Sequence, residues 1–323
     1  MKNQSRRRFL LITGASIGFA FSGMAVPIPG NYKHSKRGVL LGANTEIQIY
    51  HEDKEVAEEI LVKCFDEVRR LESIFSLYDQ DSDICKLNSL GRIESSPIDL
   101  VNLVKTSLEI SEFTDGSFDV TVQPLWELYA NHYKSPGFNP EGPSRDDIEA
   151  ALEVVNYKNI SFEQKTIWFN KQRMGITLNG IAQGYITDAV TRILSESGIS
   201  NMLVNMGEYR SIGTHPNGKN WQIGLADPEK PWSIVRVLPL KNRAVSTSGG
   251  YGYRFGDSLD HHHIFDPKLG ESANYYKSIT VEAPSATLAD GLSTAFFAVR
   301  REKLAELNLK LPDVVIYING VKA

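Results

Sequence analysis

The sequence predicts an α+β fold: one domain of two mixed sheet-and-helix halves, behind an N-terminal segment that is not part of it. Three observations carry this prediction. Short strand-like runs cluster in the second half with helices between them. Long runs with helical periodicity dominate the first half. No clean boundary separates the halves. The chain has 323 residues, 41% hydrophobic and 23% charged, enough apolar content for a sizeable core. A net charge of −4 leaves no basic footprint, which argues against nucleic acid as a partner. Two cysteines, Cys64 and Cys85, do not make a disulfide framework.

The first element is a targeting segment. "SRRRFLLITGASIGFAFSGMA" places Arg6, Arg7 and Arg8 before a short apolar run that ends in small residues. A cationic start, a short apolar core and a small-residue exit define an export signal, of the twin-arginine type over residues 1–25. The run is short for a spanning helix and is broken by Gly14, Gly18 and Gly23, so no stable membrane insertion is expected after cleavage. Residues 26–38 read as a linker and 39–323 as the folded domain.

A strand is expected near 45–50. A long helix follows over 53–76, with Val56, Ile60, Cys64, Val68 and Leu71 on one stripe. "SLYDQDSDICKLNS" reads as a polar loop, and 97–113 as a second helix. Residues 132–143 are a Pro/Gly-rich surface loop, and Ser144 is placed to cap a short helix. "NISFEQKTIWFN" reads as a hairpin, and "GITLNGIAQGYITDAV" as a strand that ends at Leu178 and turns into a helix. Strands are expected near 201–206, 209–213, 221–225, 234–239 and 278–282, then a helix through Leu288, Leu292 and Phe296, a helix near 301–308 and a last strand near 313–318.

Four stretches could carry chemistry. In "TLNGIAQGYITDAV", Asn179 is placed to cap a helix whose Gly180 and Gly184 leave backbone uncovered, which suits a phosphate or simply close packing. "AVSTSGGYGYRF" runs a strand into a hydroxyl and glycine cluster, either a nucleotide cradle or a hairpin turn. "DHHHIFDPKLGES" holds three adjacent histidines. In extended chain His261 and His263 share a face, as zinc ligands, as a general base, or as a solvated cluster. In "APSATLADGLSTAFFAV", Asp290 and Thr294 lie one helical turn apart. A carboxylate and a hydroxyl are hard oxygen donors that suit Mg²⁺, or an Asp held by a local hydrogen bond.

Taken in order, these stretches resemble the ApbE-type FAD:protein FMN transferases. The likeness spans about Leu41 to Val299 in six ordered blocks: "SLYDQDSDICKLN", "GSFDVTVQPL", "LNGIAQGY", "VNMGEYRSIG", "STSGG" with "HIFDPKLG", and "ITVEAPSATLADGLSTAFF". The resemblance implies an ApbE-like catalytic domain that binds FAD and Mg²⁺ and transfers the FMN half of FAD to a Thr of an acceptor flavoprotein, releasing AMP. Asp290 and Thr294 match the metal-binding pair, with the carbonyl of Ala182 as the third protein ligand. Leu41, Tyr78, Ser117, Phe118, Asp119, Asn179, Tyr185 and Ile264 match cofactor contacts. His263 fits the family's His-x-x-Asp-Pro pattern and becomes the candidate base beside the catalytic Asp290. An exported chain, periplasmic or on the outer face of the inner membrane, implies an exported or membrane-bound electron-transfer protein as acceptor. The same site would serve hydrolysis of FAD to FMN and AMP, and a non-enzymatic exported FAD-binding protein is the reading from another class. The chain departs from the pattern in three places: Gln183 stands where many relatives have Lys, Gly250 where many have Asp, and the Asn-x-Gly block, ending Gly207-Glu208-Tyr209-Arg210, is one residue shorter.

Overall fold

The computed structural model describes residues 18–20, 32–40, 42–257 and 260–323. Most of the expected signal segment and Leu41 lie outside these residues. Gly18–Ala20 (β1) pairs antiparallel with a later strand. Tyr32–Leu40 (β2) and Ala43–His51 (β3) form a hairpin in register from Tyr32 opposite His51 to Leu40 opposite Ala43. This corrects the expected linker, because residues 32–38 are strand. "YKHSKRGVL" looks like a linker because it is polar, but lysine and arginine on an outermost strand discourage pairing with other chains.

Helix α1, Lys54–Phe75, is capped by Asp53, whose carboxylate accepts from the Glu55 and Val56 amides. Its buried stripe holds Ala57, Ile60, Cys64, Val68 and Leu71, whereas Val56 is 41% exposed. The expected polar loop contains α2, Asp83–Leu90, started by the Ser82 side chain on the Cys85 amide and ended by Gly91 at φ 69°. Arg92–Ile93 (β4), Ile160–Glu163 (β5) and Thr166–Phe169 (β6) form a small sheet in the order β4-β6-β5. Between β4 and β5 lie α3 (Ile98–Phe113), α4 (Gln123–Lys134) and α5 (Arg145–Leu152), the last capped by Ser144 as expected.

The strand expected to end at Leu178 is not formed, and residues 170–181 lead from β6 into α6, Ala182–Glu196, as irregular backbone. The Ile176 backbone is satisfied instead by Asn88, whose side-chain oxygen accepts from the Ile176 amide at 2.7 Å and whose Nδ2 donates to the Ile176 carbonyl at 2.9 Å. There follow β7 (Met202–Asn205), β8 (Tyr209–Ile212), β9 (Trp221–Ala226), β10 (Ile234–Leu240), β11 (Ala244–Ser248), β12 (Phe265–Asp266), β13 (Glu271–Ser272) and β14 (Ile279–Ala283). The chain closes with α7 (Ala286–Phe297), α8 (Arg301–Asn308), β15 (Val315–Ile318) and β16 (Val321–Lys322).

Among the described residues the main sheet has eight strands in the order β16-β15-β14-β11-β8-β7-β3-β2. Alternation along its strands separates two cores. Met202, Val204 and Ala244 face the helical layer of α1, α3, α6 and α7. Leu203, Tyr209 and Val245 face Trp221, Ile223, Leu238 and Leu240 of β9 and β10. Mixed helix and sheet is the α+β class expected. A third cluster, Leu125, Tyr129, Ile148, Phe255 and Phe265, seats α4 and α5 against the segment that carries the histidines.

Candidate active site

The site begins where α6 meets α7. Gly184 lets the two helices touch: a Cβ there would lie 2.3 Å from the Ala286 carbonyl oxygen and 2.7 Å from the Asp290 Cβ. At Gly180 a Cβ would come within 2.9 Å of the Thr294 Cγ2. Both glycines therefore serve close packing around the two residues of interest. The helix start is also less open than the sequence suggested. Asn179 does not cap it, since α6 begins at Ala182 with no side-chain cap. The Ala182 amide donates to the Leu178 carbonyl and the Gly184 amide donates to Asp290 Oδ2 at 2.9 Å.

Asp290 is 4% exposed. Burial pushes its carboxyl up to about 7, the charge of Asp188 adds to that, and hydrogen bonds from the Gly184 amide and Ser246 oppose it. Beside it runs a hydroxyl ladder. The Ser248 Oγ lies 3.1 Å from the Thr294 Oγ1 and 2.8 Å from the Ser293 Oγ, which lies 3.0 Å from the Ser246 Oγ. Asp188 holds the start of α7: its carboxylate accepts from the Ala286 and Thr287 amides, each at 2.9 Å, and is paired with Arg210. Those contacts set the register that puts Asp290 and Thr294 toward the pocket.

The three histidines separate. His263 is half-buried in the pocket wall. Its Nδ1 lies 3.1 Å from the Tyr253 carbonyl. A carbonyl only accepts, so Nδ1 carries the proton and Nε2 holds the free lone pair. Burial pushes this imidazole down to about 4, so it is neutral at physiological pH. His262 is 2% exposed and structural: its Nδ1 accepts from the Ile264 amide and its Nε2 faces the Asn274 side-chain oxygen. His261 pairs with the Tyr133 hydroxyl. Among the described residues no group of three His, Cys, Asp or Glu side chains is placed to hold a metal ion. The His262 ring also explains Gly250, where a Cβ would lie 2.4 Å from the His262 Cδ2.

Ser117, Phe118, Asp119, Asn179, His263, Ile264, Asp290 and Thr294 line one pocket. Tyr78 and Ala182 line a smaller one that shares Asn179 and Gln183 with it. Tyr78 is 42% exposed, and its hydroxyl is hydrogen-bonded to the Asn179 side chain. The Asp119 carboxylate is occupied by the Thr121 amide and hydroxyl and by the Tyr157 amide, so it shapes the wall. Tyr185 lines neither pocket. Its hydroxyl donates to Asp99 at 2.7 Å and its ring packs edge-on against Phe75. Gln183, Glu208, Trp126 and Ser248 line the main pocket without having been singled out as site residues. Ser248 was within reach, because alternation in Ser246-Thr247-Ser248 puts both serines on the face toward α7.

The donors fit a divalent cation. Asp290 is a buried carboxylate with no Lys or Arg beside it in the pocket lining, and the neighbouring hydroxyl is another hard oxygen.

The ApbE family profile matches residues 41–318. The chain is 29% identical over 255 residues to the FAD:protein FMN transferase of Escherichia coli K12, covering 73% of this chain and 70% of that one. It is 25% identical over 310 residues to the FAD:protein FMN transferase of Treponema pallidum, with 87% and 83% covered. Among solved structures, the apo flavinyl transferase ApbE of Pseudomonas stutzeri superposes with a TM-score of 0.79 at 25% identity, over 91% of this chain and 92% of that one. The ApbE protein of Thermotoga maritima gives 0.74 at 30% identity, over 90% and 96%. A profile match over most of the chain, on a fold these structures share, means that the chain belongs to the ApbE family.

Proposed function

We propose that this protein is an FAD:protein FMN transferase that uses Mg²⁺, modifies a threonine of an acceptor flavoprotein and releases AMP. The observation that carries the proposal is the convergence on one pocket of a neutral histidine, His263, with the buried carboxylate and the hydroxyl that α7 presents one turn apart.

Asp290, Thr294 and the carbonyl of Ala182 would hold the cation. When bound, Mg²⁺ supplies charge neutralisation at the pyrophosphate and at the departing AMP. The remaining chemistry belongs to the chain. The pocket positions FAD so that the acceptor Thr hydroxyl meets the phosphorus on the FMN side. His263 Nε2 takes the hydroxyl proton as the new P–O bond forms, and the bond to the AMP oxygen breaks. The Tyr253 carbonyl keeps the His263 Nδ1 proton in place, so Nε2 stays the basic atom. Phosphoryl transfer needs little beyond positioning and charge stabilisation, and a general base contributes about 100-fold to 10,000-fold.

The Arg6-Arg7 segment supports export to the periplasm or the outer face of the inner membrane, and with it an exported or membrane-bound electron-transfer acceptor. The test is to incubate protein, FAD, Mg²⁺ and an acceptor domain, then record intact masses and free nucleotides. An FMN adduct with AMP supports transfer. Free FMN with AMP and no adduct makes the protein a hydrolase, and unchanged FAD makes it a carrier.

A further inference from the structure

The main pocket has an unusual charge inventory for a site that would receive a pyrophosphate. Its lining includes the carboxyl side chains Asp119, Glu208 and Asp290 and no lysine or arginine. Gln183 lies in the same wall and is 4% exposed. Among the described residues its Nε2 is buried with no hydrogen-bond partner. A buried amide left unpaired costs about 1–3 kcal/mol, so its persistence points to a partner that arrives with the substrate. The amide is also held in place. Gly207 has φ 108°, where side chains are strained, and a Cβ there would lie 2.6 Å from the Gln183 Cδ and Oε1 and 2.9 Å from Nε2.

We propose that Gln183 donates a hydrogen bond from Nε2 to a phosphoryl oxygen of the bound dinucleotide, and that its neutrality makes substrate binding itself depend on a divalent cation. This rests on the reading of the pocket as an FAD site. A pyrophosphate brought into a pocket lined by carboxyl side chains, with no lysine or arginine, meets no compensating positive charge unless a cation supplies it. Gln183 offers a donor but no charge, so the pocket is electrostatically complete only when cation and dinucleotide are both present. The two ligands therefore bind with positive coupling, each raising the affinity for the other by the same factor.

The test is equilibrium binding of FAD, ADP and riboflavin to the full chain, with Mg²⁺ and with EDTA. For the wild type, EDTA should weaken FAD and ADP by about tenfold or more and leave riboflavin nearly unchanged. Gln183→Met should weaken FAD and ADP by about tenfold with Mg²⁺ present, since a hydrogen bond to a charged acceptor is lost. Gln183→Lys should bind FAD in EDTA at least about tenfold more tightly than the wild type. Riboflavin losing as much affinity as FAD on metal removal would overturn the proposal with no variant required. So would Gln183→Met binding like the wild type, or Gln183→Lys retaining full cation dependence. Failure of the wild type to bind FAD under either condition would instead sink the FAD-site reading on which the proposal rests.

Discussion

Half-buried His263 and buried Asp290 are ionisable groups shifted in opposite directions, and each shift has a measurable consequence. His263 is pushed down to about 4, so it is already a free base at pH 6. With saturating Mg²⁺ keeping Asp290 ionised, His263 should therefore add no acidic limb at the ordinary histidine value of 6.5, and loss from protonating this ring should appear nearer pH 4. Replacing it, as His263→Asn, should slow transfer by about 100-fold or more while FAD affinity, followed by flavin fluorescence, stays near the wild-type value. For Asp290 the sign is reversed. Its pKa is raised from 3.8 to about 7, so the folded metal-free protein holds a proton that the unfolded chain releases. Stability from this group is lost as pH rises from 3.8 through 7. Metal-free Asp290→Asn should then be the more stable protein at pH 8, by an amount on the order of 4 kcal/mol, with the difference vanishing near pH 4. Denaturant melts of both proteins across that range check it. Mg²⁺ should raise the melting temperature of the wild type and not of the variant.

At the scale of elements, the α6–α7 contact carries the site. Gly184→Ala would drive a Cβ into the Ala286 carbonyl, a backbone atom that cannot rotate away. We expect a loss of about 2 kcal/mol or more in urea unfolding and a weakened Mg²⁺ response, because Asp290 lies at the same contact. An unaltered melt would show that the helices have room to spare. The sequence made the long elements legible. Helix α1, α3, the hairpin β5–β6 and α7 follow from periodicity and caps. It misled where backbone is satisfied by side chains or where polarity hides structure. Asn88 replaces a strand partner at Ile176, which no local pattern shows. Ser82 and Gly91 bracket α2 with ordinary cap signals, but the acidic run "DQDSD" before it reads as loop. The ordered motifs did lead to one place, since eight residues named from them, Ser117, Phe118, Asp119, Asn179, His263, Ile264, Asp290 and Thr294, line the same pocket. Tyr185 illustrates the limit: its place in a motif matches a cofactor contact, and the helix phase turns its hydroxyl to Asp99 instead.

For the whole molecule, the domain begins earlier than its composition suggests. Strand β2 covers the edge of β3 over nine residue pairs from Tyr32 to Leu40. A chain starting at residue 32 keeps β2 and should fold and elute without aggregate in size-exclusion chromatography. One starting at residue 42 bares the β3 edge, whose buried pattern includes Ile47 and Ile49, and should aggregate or melt at a clearly lower temperature. Equal behaviour of the two chains would mean that β2 contributes nothing to the fold. No helix among the described residues is long and apolar enough to cross a membrane.

One pocket joins His263, Asp290 and Thr294, and the proposed metal-dependent flavin transfer takes place there. Its most direct test follows a single turnover with FAD, Mg²⁺ and an acceptor domain, recording AMP release and locating the adduct by peptide mass spectrometry. One AMP should appear for each FMN attached, the attachment should be to a threonine, and both products should be lost with EDTA or with Asp290→Ala. AMP and adduct formed at the wild-type rate by Asp290→Ala would contradict it.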